Sequence, residues 1–148
     1  MKKILMLHGP NHNMFGHRDK NLYGTVSYEE INEAMKTVAE ELRVELEIFQ
    51  SNHEGAFIDK VQEAFYGNVD AVIANPGGWT NTSAAVKDAL DILTCPRVEV
   101  HMSNTFRKHG GTVQAQTAIT ASAVIIGGGI NAYMLAVRAA AELAEKKA

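Results

Sequence analysis

Short apolar runs of strand length alternate with helical stripes from one end of this chain to the other, and no other feature restricts its fold so severely. Lys3 to Leu7 is the first run. Ser27-Tyr28-Glu29-Glu30 then has the Ser-x-x-Glu form of a capping box, in which a hydroxyl and a carboxylate satisfy free N–H groups at a helix start. Behind it Ile31, Met35, Val38, Ala39 and Leu42 fall on one helical stripe. Val44 to Phe49 alternates apolar residues with Glu as a second strand, and a helix from about Gly55 to Tyr66 stops at Gly67. Ala71 to Ala74 is a third strand running into Asn75-Pro76-Gly77. Thr82 or Ser83 caps the next helix, which buries Val86, Ala89, Leu90 and Leu93 and ends near Cys95-Pro96. Val98 to His101 and Val124 to Ile126 are the fourth and fifth strands, the last closed by Gly127-Gly128-Gly129 before an Ala-rich helix. Strands separated by helices make a doubly wound parallel sheet, and five of them point to the flavodoxin-like α/β order 2-1-3-4-5.

The chain has 148 residues, 46% hydrophobic and 21% charged, which is enough for one good core and one domain over residues 1–148. A formal net charge of −3 and the lack of any Lys/Arg-rich run argue against nucleic acid or an anionic membrane as partner. Cys95 is the single cysteine, so no internal disulfide and no Cys-based zinc site is expected, and a reducing cytoplasm fits. The apolar run after Lys2-Lys3 is too short for a signal peptide core or a membrane span.

In such a sheet ligands sit beyond the carboxyl ends of the strands. The segments following strands one, three and four are His8 to Gly24, Asn75 to Ser83 and His101 to Lys108. The first belongs to a stretch from His8 to Thr25 that lacks helical or strand periodicity, and loops of that length in compact domains are often lids. It carries Arg18 and Tyr23. A guanidinium beside a phenol favours the phenolate, so the two can make a base, although both also read as solvated loop residues. Glu99 and His101 are two apart at a strand end and share a face, which suits a general acid or base, or a buried histidine simply satisfied by its neighbour. Asn75 and Ser103, with backbone N–H groups around Met102 and Ser103, can hold a carboxylate, while Asn75-Pro76-Gly77 reads equally as a turn.

Other features carry less. His8, His12 and His17 match no metal-ligand spacing. Gly127 to Gly129 lack both the P-loop and the dinucleotide-binding pattern and read as close backbone packing. Trp79 is a stacking platform for a flat ligand or a packing anchor.

Taken together the motifs resemble the type II 3-dehydroquinate dehydratases, the small dehydroquinases of the shikimate and quinate pathways. Gly9-Pro10-Asn11, Arg18, Tyr23-Gly24, the stretch from Phe49 to Gly55, Asn75-Pro76-Gly77, Thr82-Ser83, Asp88-Ala89-Leu90, Val98-Glu99-Val100-His101 and Ser103-Asn104 all look like family motifs in family order. The resemblance implies a flavodoxin-like subunit in trimers, commonly assembled into dodecamers, and a dehydration of 3-dehydroquinate that uses no metal, cofactor or Schiff base. It implies Tyr23 as base for the C2 proton beside Arg18, Asn11 as enolate stabiliser through a water, and His101, oriented by Glu99, as acid for the departing C1 hydroxyl. Asn75, Met102 and Ser103 would hold the carboxylate, and Asp88 would reach the substrate of a neighbouring subunit.

The departures lie in the shell around the ring. Asn81 stands where the family has a histidine for a ring hydroxyl, His8 where it usually has Asn, and His12 where leucine is common. From Thr105 to Ser122 the likeness is partial, and Phe106-Arg107-Lys108-His109 echoes Phe-Arg-x-His about five residues early, making Arg107 the stand-in for the arginine that closes over the ring. A site built on specific hydroxyls discriminates strongly when its polar groups change. The alternatives are therefore a divergent lyase or isomerase on another hydroxylated cyclic keto acid, and a ligand-binding homologue without catalysis.

Overall fold

The computed structural model describes residues 1–108 and 115–147. Five parallel strands form one sheet in the order β2-β1-β3-β4-β5, as the alternation predicts. They are β1 (Lys3–His8), β2 (Glu45–Gln50), β3 (Ala71–Asn75), β4 (Arg97–His101) and β5 (Ala123–Ile126). The crossovers are α2 (Tyr28–Leu42), α3 (Glu54–Tyr66) and α5 (Ala84–Ile92), and the chain closes with α7 (Ile130–Lys147). Short one-turn helices stand at the strand ends: α1 (Lys20–Tyr23), α4 (Trp79–Thr82) and α6 (Thr105–Lys108), with 3-10 turns at His12–Met14 and Thr117–Thr120. The expectation of an irregular stretch from His8 to Thr25 thus needs correction. It holds the His12–Met14 turn and α1, each too short to display an apolar stripe.

Alternation along each strand sends side chains to opposite faces, and the core divides accordingly. Ile4, Met6, Ile73, Val98 and Val100 pack beneath α2 and α7 with Ile31, Met35, Tyr133 and Val137. Leu5, Leu7, Val72 and Ala74 face α3 and α5, meeting Phe57, Val61, Val86 and Leu90. Each fully buried Ile or Leu contributes about 1.5–3 kcal/mol relative to exposure. Ser27 caps α2 in a full capping box with Glu30, and Ser83 rather than Thr82 caps α5, accepting from the Val86 N–H at 3.0 Å. Trp79 sits edge-on to Phe57 at 5.3 Å in the second core, which makes it the packing anchor of the two readings. Among the described residues no helix is long and apolar enough to cross a membrane.

Candidate active site

The loops at the carboxyl edge of the sheet enclose a cavity of about 230 Å³. Its wall brings together Asn11, Arg18, Tyr23, Asn75, Asn81, Glu99, His101, Met102 and Ser103, nine of the eleven residues singled out from the sequence. Asp88 is exposed on α5 and Arg107 is exposed on α6, both away from this wall. His109, Gly110 and Gly111, where the echo of Phe-Arg-x-His continues, lie outside the described residues.

The base side is built by the segment after β1. Asp19 caps α1 by accepting from the Asn21 N–H at 2.9 Å, and Tyr23 is the last residue of that turn. Arg18 Nη2 donates to Tyr23 Oη at 3.1 Å, while its guanidinium carbon lies 4.0 Å from the centre of the same ring. Asn11 adopts a left-handed conformation, φ 66°, which asparagine tolerates better than most residues, and its N–H donates to Asn52 Oδ1 at 2.9 Å. Gln50 in turn donates to the Gly9 carbonyl and to Asn52, each at 3.1 Å. The Phe49 to Gly55 stretch therefore serves as a brace for the loop that carries Asn11.

The acid side is buried. His101 Nε2 and Glu99 Oε2 are 2.7 Å apart at the end of β4, with Glu99 only 2% exposed. Thr117 Oγ1 donates to Glu99 Oε1 at 2.5 Å, and Thr80, in hydrogen-bond contact with Thr117, reaches Glu99 Oε2 at 3.5 Å. Held by these hydroxyls, the buried Glu99 carboxyl fixes the orientation of the imidazole beside it. Neither threonine was found from the sequence, because each reaches Glu99 from a distant loop. The three glycines after β5 tie this edge down, with Gly127 N–H donating to the His101 carbonyl at 2.9 Å and Gly129 N–H to that of Met102 at 3.0 Å.

Between the two sides lies Asn75, whose Nδ2 donates to Tyr133 Oη at 2.7 Å and whose Oδ1 accepts from the Gly77 N–H at 3.2 Å. Burial pushes the Tyr133 phenol well above its ordinary range, so it remains a neutral partner. Backbones close in tightly here. The Gly9 N–H donates to the Asn75 carbonyl at 2.9 Å, and a Cβ on Gly9 would lie 2.6 Å from the Pro76 oxygen. His8 is fully buried against Tyr28, 4.9 Å between ring centres, with Nε2 2.9 Å from Asn32 Oδ1. Desolvation lowers its pKa to about 4, against a hydrogen bond to Asn32 that acts in the opposite sense. His12 is also buried and neutral, held well below the usual imidazole range by desolvation and by the nearby His8, Arg18 and His101. Among the described residues no group of three His, Cys, Asp or Glu gathers to hold a metal ion.

A phenol beside a guanidinium and an imidazole beside a carboxylate, facing one cavity, can remove one proton and deliver another. Comparison with known proteins gives the family. The family described as dehydroquinase class II matches residues 2–141. A 3-dehydroquinate dehydratase of Caldicellulosiruptor bescii is 43% identical over 143 residues, 97% of this chain and 99% of the relative. One from Lachnospira eligens is 42% identical over 146 residues, covering 98% and 99%. The crystal structure of type II dehydroquinase from Butyrivibrio crossotus superposes with a TM-score of 0.89 at 37% identity, covering 93% of this chain and 96% of that one. That from Propionibacterium acnes gives 0.90 at 28%, covering 96% and 97%. Fold, sequence and the ordered motifs along the sheet edge converge, and the chain belongs to the class II dehydroquinase family.

Proposed function

We propose that the chain dehydrates 3-dehydroquinate to 3-dehydroshikimate, an activity its curated relatives bear in their names. The observation that carries this is the facing of two pairs, Arg18–Tyr23 and Glu99–His101, across one cavity. The Tyr23 oxygen takes the proton from C2 of the substrate, and the electron pair of that bond moves toward the C3 ketone, leaving charge on its oxygen. Asn11 stabilises that oxygen through a water. As the enolate collapses, the C1–oxygen bond breaks and His101, oriented by Glu99, supplies the proton that lets the hydroxyl leave as water. Asn75, Met102 and Ser103 receive the substrate carboxylate, and Asn81 faces a ring hydroxyl.

The same proposal includes self-association as trimers and larger assemblies in the cytoplasm. Tyr66, 85% exposed, and Ile119, 80% exposed, are apolar side chains that such contacts would cover. In it, Asp88 acts across subunits rather than in its own cavity. Turnover of purified protein, followed through the absorbance of the conjugated enone product, tests the activity. Tyr23→Phe and His101→Ala should each lower kcat by at least about 10²-fold with the protein still folded. A folded, assembled wild type with no turnover would transfer the reading to another hydroxylated cyclic keto acid, which the Asn81 position favours.

A further inference from the structure

His12 is the one histidine of the loop after β1 that lines the cavity, and its ring is set in a definite protonation pattern. Its Nδ1 faces the Gly9 N–H at 3.0 Å, a donor it shares with the Asn75 carbonyl, so in the neutral ring the proton sits on Nε2. Among the described residues no protein acceptor meets that Nε2–H. The nitrogen lies where Gly77 leaves room for it, since a Cβ at residue 77 would stand 2.9 Å from Nε2. The ring stacks on Phe15, with centres 4.9 Å apart and planes 14° from parallel. Phe15 in turn lies 5.6 Å from the Tyr23 ring. His12, Phe15 and Tyr23 are therefore one continuous wall, with Asn11 adjoining.

We propose that His12 is an additional oxyanion donor of this site: its Nε2–H bonds directly to the substrate oxygen that becomes negative when the C2 proton leaves. The inference rests on the reaction proposed above. That reaction orders the substrate along the cavity, with C1 and its carboxylate at His101 and Ser103, C2 under Tyr23, and C3 on the far side of Tyr23. The β1 loop with Asn11 and His12 lines that same cavity. No proton is transferred by His12. The C2 proton passes to the tyrosine oxygen, the pair of the C–H bond becomes the new C2–C3 double bond, and the former carbonyl pair rests on oxygen while the Nε2–H remains on nitrogen. A neutral imidazole suits this role, because it polarises a carbonyl without surrendering its proton to the base. The burial and the nearby Arg18 guanidinium that hold His12 neutral serve the same end.

The test compares wild type, His12→Leu and His12→Gln, the last placing an amide N–H near the same point. With 3-dehydroquinate, His12→Leu should lose about 10²-fold in kcat with little change in KM, and His12→Gln should recover most of the loss. A second readout needs no turnover: binding of 3-hydroxybenzoate, a flat ring with an oxygen two carbons from the carboxylate-bearing carbon, against benzoate, which lacks it. Wild type and His12→Gln should prefer 3-hydroxybenzoate, and the preference should shrink about tenfold in His12→Leu. An unchanged preference, or a rise in KM alone, would overturn the proposal and make His12 a packing residue or a reader of a ring hydroxyl. Wild-type protein without turnover would count against the proposed reaction, and the binding comparison would still decide the role of His12.

Discussion

Thr117 illustrates how much of the acid side depends on one hydroxyl. It is fully buried and makes a 2.5 Å hydrogen bond to the carboxylate that orients His101. Thr117→Val keeps the shape and removes the donor, leaving Glu99 with the longer bond from Thr80 as its remaining hydroxyl contact. We expect a kcat about tenfold lower and a stability loss of about 1–3 kcal/mol in urea unfolding, with Thr117→Ser restoring both. A loss of stability without loss of kcat would mean that Thr117 holds the loop but not the histidine. Glu99 and His101 are legible in the sequence because residues two apart on a strand must share a face. Thr117 is not legible, since its segment has no periodicity and its contact closes over eighteen residues. The tautomer of His12 is hidden for a similar reason, being set by a backbone N–H that only the folded loop brings to it.

Long and short helices play different parts here. In α2 the apolar stripe does most of the work and Ser27 tightens the start, so Ser27→Ala should cost about 1 kcal/mol in thermal or urea unfolding and leave kcat unchanged. The four-residue α1 has no such stripe, and its start is fixed by the Asp19 side chain. Asp19→Ala should do the opposite of Ser27→Ala, lowering kcat several-fold, to the order of tenfold, because the turn that presents Tyr23 frays, while global stability moves by less than about 1 kcal/mol. Equal effects of the two changes on stability would contradict this division. The strands and long helices follow from periodicity to within a few residues, with β2 displaced by one residue and α3 starting one residue earlier than expected. The one-turn helices after β1 and β3 escape, because four residues cannot show a 3.6-residue repeat.

At the scale of the whole molecule, the buried histidines make stability depend on acidity. His8 in the unfolded chain binds a proton near 6.5, and the folded site delays this to about 4. Between those values the unfolded state holds more protons than the folded one, so stability falls as the pH drops through that window and levels below it. The contribution reaches roughly 3 kcal/mol, and His12 shifts in the same direction. Urea unfolding at pH 7.5, 5.5 and 4.5 should show a shallower decline for His8→Asn than for wild type. Identical slopes would mean that His8 accepts its proton within the fold. The strand order and the gathering of the site at the carboxyl edge were legible from the alternation alone, because parallel strands with right-handed crossovers leave few arrangements. The exposure of Tyr66 and Ile119 was not, since periodicity does not report how far the end of a helix or a 3-10 turn stands out from the core.

The contact between Gly9 and Pro76 bears on the size of molecule this cavity admits. The chain that leads to Tyr23 and the chain that leads out of Asn75 touch where one carbon atom is missing, and the Gly9–Asn75 hydrogen bond joins them. That junction acts as a fixed calliper. It fixes how far the loop that carries Arg18 and Tyr23 stands from the turn after Asn75, so the main chain sets the width of the cavity before any side chain lines it.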